Sequence, residues 1–149
     1  MSEKQLRVQA RSIFRAALEA SDPAQAVLRN VRVSGGRLTA GKQTYRLSSF
    51  KRIFVVGAGK ASAAMAQAIE RLLGRSIHSG VVNVKYGHLA RLRRIELNEC
   101  GHPVPDEAGV HGAQRIAAIA GEAGAEDLVI CLMSGGWPDS SMFSSILTV

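Results

Sequence analysis

Aromatic side chains make up only 5% of this 149-residue chain. Few of them accompany the basic residues, and no helix-turn-helix, zinc-finger or RNA-binding sheet motif is present, so nucleic acid is not the expected partner. Cysteine is as scarce. Cys100 and Cys131 stand far apart, with no C-x-x-C pair and no zinc-ligand spacing, and no metal site is predicted. No apolar run reaches the roughly 18 residues that would span a membrane. No apolar signal core follows Met1-Ser2-Glu3-Lys4-Gln5. The expected location is therefore the cytoplasm, with no membrane partner. Acidic residues are outnumbered 12 to 19 by lysine and arginine, for a net charge of +7. An excess of that sign favours anionic ligands.

The hydrophobic share, 46%, is ordinary for a folded protein, and the length suits one domain or part of one. Three regions are expected. Residues 1–50 read as helices and short strands. Leu6, Ile13, Phe14, Ala17 and Leu18 have amphipathic spacing over Glu3 to Ala20. Asp22-Pro23 then offers a cap and a first-turn proline for a second helix. Three short alternating runs, separated by Gly35-Gly36 and Gly41, predict a small β-meander. Residues 51–136 change rhythm. Ile53–Val56, Gly80–Lys85, Arg94–Asn98 and Asp127–Met133 are strand-like. Helical patterns follow Lys60, as far as Leu73, and Asp106. Alternating elements of this kind predict an α/β fold: a Rossmann-like parallel sheet with flanking helices, incomplete at the C-terminus. Residues 137–149 form a divergent tail.

Chemistry concentrates at two glycine turns. In Ile53-Phe54-Val55-Val56-Gly57-Ala58-Gly59-Lys60, an apolar strand runs into a turn at a helix N-terminus. Backbone N–H groups there can hold an anion, and Lys60 adds a positive charge. The spacing fits neither the dinucleotide fingerprint, since Ser62 stands at its third glycine, nor the P-loop. An ordinary strand-to-helix turn with a solvated lysine reads the same residues equally well. Ser134-Gly135-Gly136 is the second turn, directly after the last strand. Ligands of open α/β sheets bind outside such carboxyl ends. Between the turns, Pro103 and Pro105 stiffen a loop carrying His102 and Asp106. Asp106 reads as a helix cap, and His102 as either a base or a locally bonded side chain.

Four motifs in order resemble the bacterial glycerate 2-kinase family, whose members often carry a MOFRL domain and are also labelled hydroxypyruvate reductase. They are Gly57-Ala58-Gly59-Lys60-Ala61, Val84-Lys85-Tyr86-Gly87-His88, Gly101-His102-Pro103-Val104-Pro105-Asp106-Glu107 and Leu132-Met133-Ser134-Gly135-Gly136. The resemblance runs from Met1 to about Gly136 and implies ATP-dependent phosphorylation of glycerate at its 2-hydroxyl. It implies a Rossmann-like domain followed by a smaller one, with the active site between them. Lys60 takes the place of an active-site lysine. Gly57, Gly59, His102 and Ser134 to Gly136 become nucleotide- or substrate-binding residues. The implied cofactors are ATP and Mg2+, and the partner is glycerate, a small anionic substrate.

Beyond Gly136 the family's glycine-serine loop is replaced by Trp137-Pro138-Asp139. A tryptophan crowds a backbone that must approach an anion, and proline removes a donor. The expectation is a truncated kinase-like chain, inactive alone, with an open sheet edge after Met133 and a tendency to self-associate. Two other readings stand beside it. One is a non-catalytic anion- or nucleotide-binding module. The other is an NAD(P)-dependent hydroxypyruvate reductase.

Overall fold

A computed structural model describes residues 1–134 and the backbone of residues 145–147. Gly135 and Gly136, and most of the tail, lie outside the described residues. Helix α1, Glu3–Ala20, begins in a capping box: Gln5 N–H donates to Ser2 Oγ at 3.3 Å, and Ser2 N–H donates to Gln5 Oε1 at 2.7 Å. The amphipathic spacing forms a helix as expected, but Leu6, Ile13, Phe14 and Leu18 are exposed, and no residue of α1 is buried among the described residues. Helix α2, Pro23–Asn30, starts at Asp22, whose carboxylate accepts from Ala24 N–H at 2.8 Å and Gln25 N–H at 3.1 Å. Strands β1 (Val31–Ser34), β2 (Arg37–Ala40) and β3 (Gln43–Arg46) form the predicted antiparallel meander.

The second sheet contains β4 (Arg52–Ala58), β5 (Ser79–Lys85), β6 (Ile95–Cys100), β7 (Asp127–Met133) and β8 (Ser145–Leu147), in the order β6-β5-β4-β7-β8. The first four are mutually parallel. Strand β8 was not foreseen. It pairs antiparallel with β7, Val129 opposite Leu147, so the edge expected to be open carries a partner. The physical reason is the row of unpaired backbone groups that an edge strand offers to any returning segment.

Helix α3, Ser62–Leu73, connects β4 to β5, and α4, Glu107–Glu122, connects β6 to β7. The core is uneven. On the α3 face, Val55, Val82, Leu128 and Ile130 join Ala66, Ile69 and Leu73, and Val27 and Leu38 of the first 50 residues enter the same cluster. The α4 face is thinner, with Phe54, Val56 and Val129 under Ile116 and Ile119. Part of it is polar. Asn98 Nδ2 donates to Asn83 Oδ1 at 3.0 Å and to the Ala108 carbonyl at 2.9 Å, and Asn83 Nδ2 donates to the Gly109 carbonyl at 3.2 Å. Gly112 allows this approach, because a Cβ there would overlap the Asn83 side chain.

At the amino edge, β4 and β7 are tied by charge. Arg52 forks onto Asp127, Nε to Oδ1 at 3.1 Å and Nη2 to Oδ2 at 2.7 Å, and also meets Glu122. Asp127 is only 4% exposed. The Arg52 fork, with the Gly124 N–H, holds its carboxyl down at about 2. The folded value lies below the unfolded one of about 3.9. The contribution is therefore complete above pH of about 4 and is lost as pH falls from there through about 2. Urea unfolding between pH 7 and pH 2 should show this. The midpoint of the unmodified chain falls in the acid limb, whereas Asp127→Asn starts lower at pH 7 and falls less. Parallel acid limbs would remove Asp127 from the acid sensitivity.

Candidate functional site

Strands β4 to β7 are parallel, so Ala58, Lys85, Cys100 and Met133 end at one carboxyl edge. The chain steps from β4 to β5 and from β5 to β6 on one side, then returns to place β7 on the other side of β4. The topological switch point is thus between β4 and β7, where open α/β sheets hold ligands. The Gly57–Lys60 turn and Ser134, the first residue of the second glycine turn, meet at this point.

The junction is built from backbone and serine. Ser134 N–H donates to the Ala58 carbonyl at 3.0 Å, and Ser134 Oγ accepts from Ala61 N–H at 2.8 Å. Ser62, fully buried, donates from Oγ to the Ala58 carbonyl at 2.7 Å, and its Oγ lies 3.3 Å from Ser134 Oγ. Gly59 N–H donates to the Asn83 carbonyl at 3.0 Å, and Ser62 N–H to the Gly59 carbonyl at 3.2 Å. Gly59 has φ of +121°, and a Cβ there would overlap the Ser134 carbonyl. At Gly57 a Cβ would overlap the Leu132 carbonyl. Both glycines therefore let β4 and its turn lie directly against β7 and Ser134.

Three of the N–H groups that the sequence offered to an anion, those of Gly59, Ala61 and Ser62, are committed to the chain's own acceptors. Helix α3 accordingly starts at Ser62, two residues after the expected Lys60. Lys60 is exposed beside the junction and makes no side-chain hydrogen bond or ion pair among the described residues. Among the described residues it is a charge beside the switch point with no partner of its own.

His102 is on the same edge but follows β6, with β5 between it and β4. Strands spaced about 4.8 Å apart put the β6 end roughly 10 Å from that of β4. The ring is exposed and joined to Pro103 through a cis peptide bond. Asp106 caps α4 as expected, accepting from Gly109 N–H at 2.9 Å. A second role was not anticipated: its Oδ2 accepts from Tyr86 Oη at 2.8 Å, fastening the turn after β5 to the start of α4. The backbone N–H groups of Gly101 and Gly109, with the Tyr86 hydroxyl, hold the Asp106 carboxyl below the usual carboxylate range. That carboxylate in turn raises the Tyr86 phenol. Cys100 is buried, and its thiol, 3.5 Å from the Val84 carbonyl, is pushed up by burial. This is a structural environment rather than that of an activated thiolate. Among the described residues no group of three His, Cys, Asp or Glu stands together as a metal site. No helix among them is long and apolar enough to cross a membrane.

Ser62 and Tyr86 are the residues that sequence reasoning missed. Ser62 directly follows the first motif and Tyr86 sits inside the second, and their partners Ser134 and Asp106 are 72 and 20 residues away.

Comparison with known proteins adds four matches. Residues 9–145 match the family model DUF4147, a domain of unknown function, and the match continues past Gly136. A glycerate 2-kinase of Pyrococcus horikoshii is 38% identical over 120 residues, covering 80% of this chain and 26% of that protein. A putative hydroxypyruvate reductase of Agrobacterium vitis is 41% identical over 128 residues, covering 85% of this chain and 26% of that protein. A crystal structure of a Pyrococcus horikoshii protein superposes with a TM-score of 0.74 at 33% identity, over 85% of this chain and 28% of that one. The chain spans about a quarter of the length of the curated relatives it matches.

Proposed function

This chain belongs to the DUF4147 glycerate 2-kinase family, and on that premise we propose that it is the N-terminal part of an enzyme transferring phosphate from ATP to the 2-hydroxyl of glycerate. The observation that carries the proposal is the meeting of the Lys60 turn with Ser134 at the switch point between β4 and β7. Phosphoryl transfer needs little covalent chemistry from the protein. It needs positioning, and positive charge where the transferred group becomes more negative. Lys60 supplies such a charge on a turn fixed by the hydrogen bonds of Ala58, Gly59, Ala61 and Ser62. Ser134 holds the turn, so its role is to position Lys60. Gly57 and Gly59 serve the nucleotide site in the same way, by allowing that closure. His102, from the β6 side, is assigned to the glycerate carboxylate rather than to the nucleotide. The described residues offer no carboxylate cluster to a divalent cation. Mg2+ would be carried by the nucleotide phosphates.

The reductase reading has weaker support. A nicotinamide dinucleotide needs an acidic residue near the end of the second strand to bind its ribose. Here β5 ends in Lys85, followed by Tyr86.

A coupled assay with ATP, Mg2+ and D-glycerate distinguishes the readings. The chain alone should show no turnover. The chain joined to the remaining length of a family relative should consume ATP only when glycerate is present. NADH oxidation with hydroxypyruvate and no ATP consumption would replace the kinase reading by the reductase one.

A further inference from the structure

Far from Lys60, at the amino edge of the sheet where α3 ends and β6 begins, lies a cleft of about 560 Å³. Five arginines line it: Arg71 and Arg75 from the end of α3 and its following turn, and Arg91, Arg93 and Arg94 from the segment entering β6. All five are exposed, and none makes an ion pair or side-chain hydrogen bond among the described residues. A run of basic residues on one segment is ordinarily a solvated face. Here two segments about 20 residues apart are brought together and fixed.

Glu70 does the fixing. Its carboxylate accepts from Arg93 N–H at 2.7 Å, Arg94 N–H at 2.9 Å and Ile95 N–H at 3.2 Å. The same segment is held from within, because Ala90 and Leu92 pack against the main core. Gly74, with φ of +52°, ends α3 and turns the chain so that Arg75 reaches the cleft. Among the described residues Glu70 is the cleft's one acidic residue, and its carboxylate is already bonded to three amides. The guanidiniums are left to repel one another unless an anion enters between them. Their planar donor forks suit phosphate oxygens bidentately. The volume is that of a small-molecule site.

We propose that this cleft binds a small polyanion carrying adjacent phosphate groups, at a site separate from the switch point. The proposal stands whether or not the kinase reading does, since no residue is shared between the two sites.

The test is titration calorimetry of the chain with inorganic tripolyphosphate at about physiological ionic strength, where weak surface attraction is screened. Saturable 1:1 binding is expected. Arg75→Ala combined with Arg93→Ala should weaken it by about tenfold or more, as loss of bidentate contacts implies. Arg11→Ala combined with Arg15→Ala, on the exposed α1, removes the same charge and should change it by less than about twofold. All four side chains are exposed, so both variants are expected to fold, and circular dichroism verifies this. Sulfate at equal ionic strength should bind at least about tenfold more weakly. Equal losses in the two double variants, sulfate binding as tightly as tripolyphosphate, or no saturable binding would each overturn the proposal. Tighter binding of a DNA oligonucleotide whose affinity grows with length would reassign the cleft to nucleic acid.

Discussion

Lys60→Met, introduced into the chain joined to the rest of a family relative, should lower kcat for glycerate phosphorylation by roughly 10³-fold or more. The expectation follows from where the lysine stands. The turn beneath it is fixed by Ser134 and Ser62, so the ammonium is carried to the switch point on rigid backbone. A preorganised charge acts most strongly where negative charge develops, in the transition state, so kcat should fall more than KM rises. Methionine keeps the length and the apolar stem, and Lys60 has no side-chain partner among the described residues to lose. The melting temperature should therefore be unchanged. Unchanged turnover in a folded Lys60→Met enzyme would make Lys60 a solvated helix-start residue and leave the anion to other groups.

The largest expected loss of stability comes from one methyl group. Gly59→Ala places a Cβ over the Ser134 carbonyl, close to Ser134 Oγ as well, at a φ of +121° that L-residues rarely adopt. Backbone cannot yield there without breaking the bonds of Ser134 N–H to Ala58 and of Ala61 N–H to Ser134. A cost of about 3 kcal/mol or more is expected from combined strain and lost hydrogen bonds. Gly41→Ala is the matched comparison. Its φ is +57°, but a Cβ there meets nothing within 4 Å. It should cost only about 1 kcal/mol, the price of a left-handed alanine. Urea denaturation of both variants reads the difference. Equal losses would mean that Gly59 matters only for its φ, and that the β4 turn and Ser134 are not in the close contact described.

Much of the fold was legible because its elements are periodic and well capped. Helix α1 covers the Glu3–Ala20 stretch that the apolar spacing predicts, and Asp22 and Asp106 cap the helices expected of them. The apolar run Asp127–Met133 is β7 without revision. The misses were boundaries and edges. Strand β4 continues beyond Val56 to Ala58 because Gly57 and Ala58 pair with Leu132 and Met133. Strand β6 extends to Cys100 because β5 offers it partners as far as Lys85. Strand β8 carried no recognisable strand signal, since three residues make too short a pattern to read.

By itself, the sequence determined the α/β alternation, the carboxyl-edge position of the first glycine turn and of Ser134, and the family. Each is a property of local spacing, residue type or ordered motifs, which need no knowledge of neighbours in space. Only the tertiary structure decided how the glycines are used. It turned Gly57 and Gly59 from presumed anion contacts into the close fit of β4 against β7, and it made Ser134 the clasp of the Lys60 turn. It also drew Arg71 and Arg75 toward Arg93 and Arg94 through a single carboxylate, Glu70. The reason is common to all three. A contact between residues 20 to 75 positions apart leaves no periodic trace along the chain, and it exists only once strand order and helix packing have set which segments meet.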